Sequence, residues 1–340
     1  MEEIEFWKEN DTLRRIWDPL HELPRWINPY EEDSYRYYYG SLHIFNESLQ
    51  KTMSKFLGFM KYGFQEHYAL TATGSDGRFE KGPQSKIEIL MLKKEGSEFD
   101  EEIREFEDKL KHPPFAYFFD SLEVKNLDSH TLSYFRNDPK RVHPTRMFDM
   151  RFLGGNRALM EEAYNVLFRE ITEEEGARIR HYVRDSKDIA KKVMKRGKQS
   201  FGGETFTHYD LESGIAYYGP RENERGMFTS FKNGPLRYIQ YEFADELIKY
   251  LRSTQDEGAL HNLPKGTIER FLMLEPGVTT KLSPSEISDI VDNYAYFLHL
   301  LHMSEFKYRN GNGMTSFYVP EVKERINALE SIMRNGVLKY

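Results

Sequence analysis

The sequence predicts an α/β (α+β) protein, with a small mixed sheet set between an N-terminal helical arm and a C-terminal helical domain. Three patterns carry this expectation. Two short apolar segments with strand-like alternation, at 68–73 and 86–92, flank a polar loop rich in Gly, Pro and charge. Before them, Leu42, Phe45, Leu49, Met53, Phe56, Leu57 and Met60 recur at helical spacing. After Ala158 helical spacing prevails along most of the chain. These patterns divide the sequence into an arm over 1–60, a core over 61–155 and a helical domain over 156–340.

Composition narrows the function classes. The chain has 340 residues, 30% charged and 39% hydrophobic, which suits a water-exposed globular surface over an aromatic interior supplied by 22 Tyr and 24 Phe. A formal charge of −7 gives no field that would draw long nucleic acid, so a nucleic-acid partner is not expected. With no cysteine there is no disulfide framework, thiolate nucleophile or Cys-based zinc site. The opening MEEIEFWKENDTLRR is too charged for a secretory or membrane segment, and no apolar run is long enough to span a bilayer, so a cytoplasmic location is expected.

Taken in order, the arm places Trp7, Trp17, Trp26 and a cluster at Tyr35, Tyr37, Tyr38 and Tyr39 among three prolines. It reads as aromatic packing against the main body, with a ligand-facing patch as the alternative. The second strand puts Lys86 and Glu88 on one face and Ile87, Ile89 and Met91 on the other. A charged helix over 98–111 ends at Pro113-Pro114, 115–124 fits helix or strand, and 126–143 reads as loop. Alternation over 145–152 predicts a strand closed by Gly154-Gly155. Leu159, Ala163, Val166, Leu167 and Ile171 predict a helix, and Thr172 followed by three glutamates predicts the N-cap of the next, running to Met194. Its basic end, Lys191 to Lys198, reads as a complement to the helix dipole, with a phosphate-meeting cluster as the alternative. A hairpin is expected within 205–218, and helices at 266–274, 283–303 and 320–333. His299 and His302, at i and i+3, read as packed or surface histidines, with a metal pair as the alternative.

The stretch that bears on function is YALTATGSDGRFEKGPQSKIEILMLK, at 68–93. Gly74-Ser75 at a strand end lets backbone N–H groups approach phosphate, and two polar residues at i and i+2 on the next strand suit a hard cation. The spelling resembles the GS-x-GR-x-E-x(4)-SD-x-D signature of the nucleotidyltransferase superfamily that includes DNA polymerase β, in the branch related to PII uridylyltransferase and glutamine synthetase adenylyltransferase. Gly74, Ser75, Gly77, Arg78, Glu80 and Ser85 are in register, while Lys86 and Glu88 stand where the signature has Asp. FDMRFLGG resembles the D-x-R segment of that branch, with Asp149 in the carboxylate place and Arg151 beside it. SFKNGPLRYIQ, from Ser230, resembles the branch's K-x-G-GLRD-I segment through Lys232, Gly234, Leu236, Arg237, Ile239 and Gln240, with Tyr238 in place of Asp.

The resemblance implies a nucleotidyltransferase core binding an NTP with Mg²⁺. Gly74, Ser75, Arg78, Ser85, Arg151, Lys232 and Arg237 would contact the nucleotide, Glu88 and Asp149 would be the metal ligands, and Lys86 would join those two at the catalytic position. It also implies a cleft in which the segment from Lys232 to Arg237 nears Ser75 and Asp149. Nucleotidyl transfer normally uses two metal ions bridged by carboxylates. A lysine at the first carboxylate position shifts the local charge by about two units, worth several kcal/mol at ~4 Å even at an effective dielectric near 20. Lys86 is therefore expected to pair with Glu88 or Asp149 and to stand in for one cation. Two readings stay open: an NTP-binding pseudoenzyme with impaired or altered transfer, and an active adenylyl- or uridylyltransferase acting on a protein or small acceptor through Glu88 and Asp149. A protein partner fits either.

Overall fold

The computed structural model describes residues 35–59, 66–83, 85, 87–94, 100–112, 119–127, 148–173, 177–196, 206–210, 213–219, 228–310, 315–334 and 336–338. Residues 1–34 of the arm, with all three tryptophans, Lys86 and most of the 126–143 loop lie outside these residues. The protein mixes helix and sheet, an α+β architecture, in two compact units. One lies within Ser41–Gly176 and Glu257–Gly266; the other takes 35–40, Ala177–Asp256 and Thr267–Tyr340.

The first unit is built on a four-stranded sheet ordered β3-β2-β1-β4, with β1 at Tyr68–Ala72, β2 at Ile87–Lys94, β3 at Phe119–Leu127 and β4 at Arg151–Gly155. β1 runs antiparallel to β2 and β4, and β2 runs parallel to β3. The parallel pair requires a crossover, which helix Asp100–Lys111 provides, burying Ile103, Phe106 and Leu110. β1 is buried at every position, as a central strand covered on both faces must be. In β2 the residues Ile89 to Leu92 are buried without alternation, and Glu88 is the half-exposed position at its start.

Helix α1, Tyr35–Phe59, turns Leu42, Phe45, Leu49 and Met53 inward, with Asn46 and Gln50 on the same buried stripe. A one-turn helix α2, Gly74–Gly77, follows β1, and Asp100–Lys111 is α3. Helix α4, Arg157–Thr172, is capped by the Asn156 side chain, which accepts from Ala158 N at 3.0 Å.

Two expectations change here. The 145–152 strand begins only at Arg151, so Asp149 sits in the turn before it. Thr172 closes α4 instead of opening the next helix: its hydroxyl donates back to Phe168 O at 2.9 Å. The ambiguous 115–124 segment contributes to strand β3.

The second unit, expected to be helical, also carries a four-stranded antiparallel sheet ordered β7-β5-β6-β8. The hairpin pairs β5, Phe206–Asp210, with β6, Ile215–Gly219; β7 is Phe228–Ser230 and β8 is Thr315–Tyr318. Around it stand α5, Ala177–Arg196, α6, Arg237–Thr254, the long α9, Pro284–Asn310, and α10, Val322–Met333. Short helices α7, Glu257–His261, and α8, Thr267–Leu272, fall between α6 and α9, with α7 counted in the first unit. Phe231 packs at 5.9 Å from the rings of both Tyr209 and Phe297, joining sheet and helix.

The candidate functional site

The site is assembled where β1 ends. Ala72, its last residue, pairs with Ile89 of β2 on one side and Arg151 of β4 on the other. Glu88 and Asp149 therefore both stand at the end of the sheet from which the Gly74-Ser75 turn departs. Gly74 takes a φ of +60°, a conformation suited to glycine, and Ser75 is exposed. The chain then bends through 77–80 with the amides of Gly77, Arg78, Phe79 and Glu80 spent on the carbonyls of Thr73, Gly74, Asp76 and Ser75.

Side chains from two elements, α1 and β4, grip this loop by its carbonyl oxygens. Gln50 of α1 donates to Asp76 O, and Asn46, one turn earlier, donates to Lys81 O at 2.9 Å. Arg151 of β4 donates to Gly77 O and lays its guanidinium over the Phe79 ring at 3.4 Å. Phe79 is itself in the left-handed region at φ +61°, with His43 edge-on against it at 5.0 Å. A bulky residue held there is strained, and such strain concentrates at functional turns. Gly77 is required by contact: an added Cβ would stand 1.9 Å from the backbone oxygen of Asp149.

The motif residues thus divide. Arg78, Glu80 and Asp149 form a buried ion triad, with Arg78 at 2.6 Å from Glu80 and 2.5 Å from Asp149, whose carboxylates are each only 1% exposed. Ser75 reaches solvent, and Glu88 and Ser85 do so in part. The carboxylate that sequence reasoning passed over is Asp76. It is 4% exposed, accepts the Glu88 N–H at 3.2 Å, and has the Lys81 ammonium 3.8 Å away. Burial pushes its carboxyl up to about 6, opposed by Lys81 and the Glu88 N–H bond. The available signals were its place inside GS-x-GR and two buried-stripe amides, Asn46 and Gln50, with no apolar role on α1.

Lys232 and Arg237 belong to the second unit. Residues Lys232–Leu236 form a π turn: Pro235 has no N–H, and Leu236 N reaches back to Phe231 O at 3.2 Å. Gly234 lets this turn lie on α5, where a Cβ would meet Met194 at 3.2 Å. Lys232 is exposed and Arg237 is half-buried at the start of α6. Tyr238, where the resembled segment has Asp, is buried; burial, then Glu242, raises its phenol well above the ordinary value. His302 is packed, its Nδ1 3.1 Å from the Tyr38 hydroxyl, and burial, then His299 and Lys232, lowers it to about 3.

Among the described residues no group of three or more Asp, Glu or His side chains is placed to hold a metal ion, and no helix is long and apolar enough to cross a membrane. No protein-family model and no curated protein sequence matches the chain.

Proposed function

We propose that this chain is a nucleotidyltransferase-like protein that holds a nucleoside triphosphate at the Gly74-Ser75 turn and transfers its nucleotidyl group slowly or not at all. The observation that supports the reading best is the tie between turn and carboxylate: Asp76, beside exposed Ser75, accepts the N–H of half-exposed Glu88. A hydroxyl and backbone N–H groups in a turn can bind phosphate oxygens, and a neighbouring carboxylate can share a cation with them.

The described residues do not fit a two-metal centre. Asp149, the second carboxylate of the motif, is already engaged by Arg78, which it shares with Glu80. Glu88 remains as the carboxylate that reaches solvent, and Lys86 stands two residues before it. In-line displacement needs strong charge neutralisation at the α-phosphate, so binding is expected to outlast transfer. Active transfer through Glu88 and Asp149 would require Arg78 to leave Asp149.

The test is a calorimetric titration with ATP, UTP, CTP and GTP, each with Mg²⁺, alongside an assay of pyrophosphate release. Saturable binding of at least one triphosphate with little pyrophosphate is expected. Rapid release would favour the active transferase, and failure of all four to bind would leave only a protein-binding scaffold.

A further inference from the structure

The loop between β1 and β2 is largely buried beyond the exposed Ser75 and is held through its backbone by side chains from other elements. Three carbonyl oxygens, of Asp76, Gly77 and Lys81, accept from the side chains of Gln50, Arg151 and Asn46. Two of those donors sit in the buried stripe of α1, where apolar residues would pack without polar cost. Within this frame, the Asp76 side chain makes the bond that crosses from the turn to the first residues of β2. Burying this side chain costs desolvation, which the Glu88 N–H bond and the Lys81 ammonium 3.8 Å away offset in part.

We infer that Asp76 is a positioning residue, fixing the distance and orientation between the Ser75 turn and Glu88 so that one phosphate-bearing ligand can engage both. The inference rests on the nucleotide reading above and adds to it the part that sets the geometry of the site. Ser75 is exposed and Glu88 only half-buried, so neither is held by burial, and the Asp76 bond to the Glu88 amide ties their backbones together. Gln50 acts one step further back, holding the carbonyl of the same residue. A loss of about one ångström in such a pair is felt in ligand binding well before it is felt in folding.

The experiment titrates ATP with Mg²⁺ into wild type, Asp76→Ala, Asp76→Asn and Gln50→Met, and records the thermal midpoint of each without ligand. Asp76→Ala is expected to weaken binding at least tenfold, and Asp76→Asn to restore it to within about threefold of wild type because its amide oxygen can still accept from Glu88 N–H. Gln50→Met, which keeps the side-chain volume and loses the donor, is expected to weaken binding about threefold; it decides the matter if Asp76→Ala does not fold. A role confined to packing would make affinity follow the thermal midpoints across the series. Wild-type protein that fails to bind ATP or the other triphosphates overturns the nucleotide reading and the inference with it. Wild type that binds, with Asp76→Ala or Gln50→Met binding equally well, overturns the inference alone.

Discussion

Around Arg78 in the first unit and along α6 in the second, the chain buries carboxylates beside cations, in different proportions. On α6 the buried Glu242, Asp245 and Glu246 share two lysines. Lys187 lies 2.5 Å from Asp245 and 3.6 Å from Glu242, and Lys249 lies 3.1 Å from Asp245 and 2.6 Å from Glu246. Burial pushes Asp245 up, yet the bonds from Lys187 and Lys249 outweigh it and hold the carboxyl below its ordinary value. Glu246 also accepts from Leu338 N at 3.3 Å, so this network serves to dock the C-terminal segment. In the first unit Arg78 satisfies Glu80 and Asp149 at close range, but Asp76, with Lys81 at 3.8 Å, stays raised. On α6 Glu242 also stays raised, because burial outweighs the nearby Lys187, so each region keeps one carboxylate at a cost. The two differ in what the raised carboxylate joins: Glu242 faces a lysine within the network, whereas Asp76 bonds the start of β2 beside the exposed Ser75.

Breaking the triad gives the largest effect. Arg78→Met strands Glu80 and Asp149 in the interior and is expected to cost about 3–5 kcal/mol, read as a lower urea midpoint. A loss below ~1 kcal/mol would mean that the two carboxylates find other partners. Lys187→Met removes one of two lysines from the α6 network, leaving Lys249 in place, and a smaller loss of about 2 kcal/mol is expected.

Asp76→Asn should act in the opposite direction. Its folded value lies above the unfolded 3.8, so the stability linked to its protonated form is present below pH 4 and lost as pH rises through about 6. At pH 7 the substitution is therefore expected to stabilise the fold, less the cost of leaving the buried Lys81 without its carboxylate, and the gain should shrink as pH falls to 4. Urea unfolding at the two pH values checks it, and equal gains at both would sink the assignment of the raised carboxyl.

His302 in the second unit has the reverse dependence. Its folded value falls below the unfolded 6.5, so stability present above pH 6.5 is lost as pH falls toward 3, by about 3 kcal/mol at pH 4.5. Among the described residues, the groups named near it, Tyr38, His299 and Lys232, include no carboxylate to hold the charged ring. Acidification from pH 7 to 4.5 should thus lower amide-exchange protection in α9 more than in β1. Equal losses in the two elements would contradict the contrast.

Much of this was legible where local pattern and tertiary demand agree. The spacing of Leu42 to Met53 marks α1, and the hairpin expected within 205–218 forms at 206–219. The sheet of the second unit was not readable because β7 has three residues and β8 four, too short for alternation to register, and β8 pairs with a strand about a hundred residues earlier. FDMRF alternates as a strand should, but contact of Asp149 with Gly77 and Arg78 fixes it in the turn ahead of β4. The Gly-Ser motif could be read from sequence, whereas the division of its residues into a buried triad and an exposed turn could not, since spacing does not tell which side chain of a motif faces inward.

The reading of the turn as a triphosphate site is tested most directly by titrating wild type and Ser75→Asp with ATP and Mg²⁺ in the calorimeter. The exposed Ser75 has room for the substitution, and a carboxylate there would repel phosphate oxygens. Saturable binding to wild type, weakened at least tenfold by Ser75→Asp at an unchanged thermal midpoint, is the expected result. Equal affinity in the two proteins would place any nucleotide elsewhere on the chain and contradict the site.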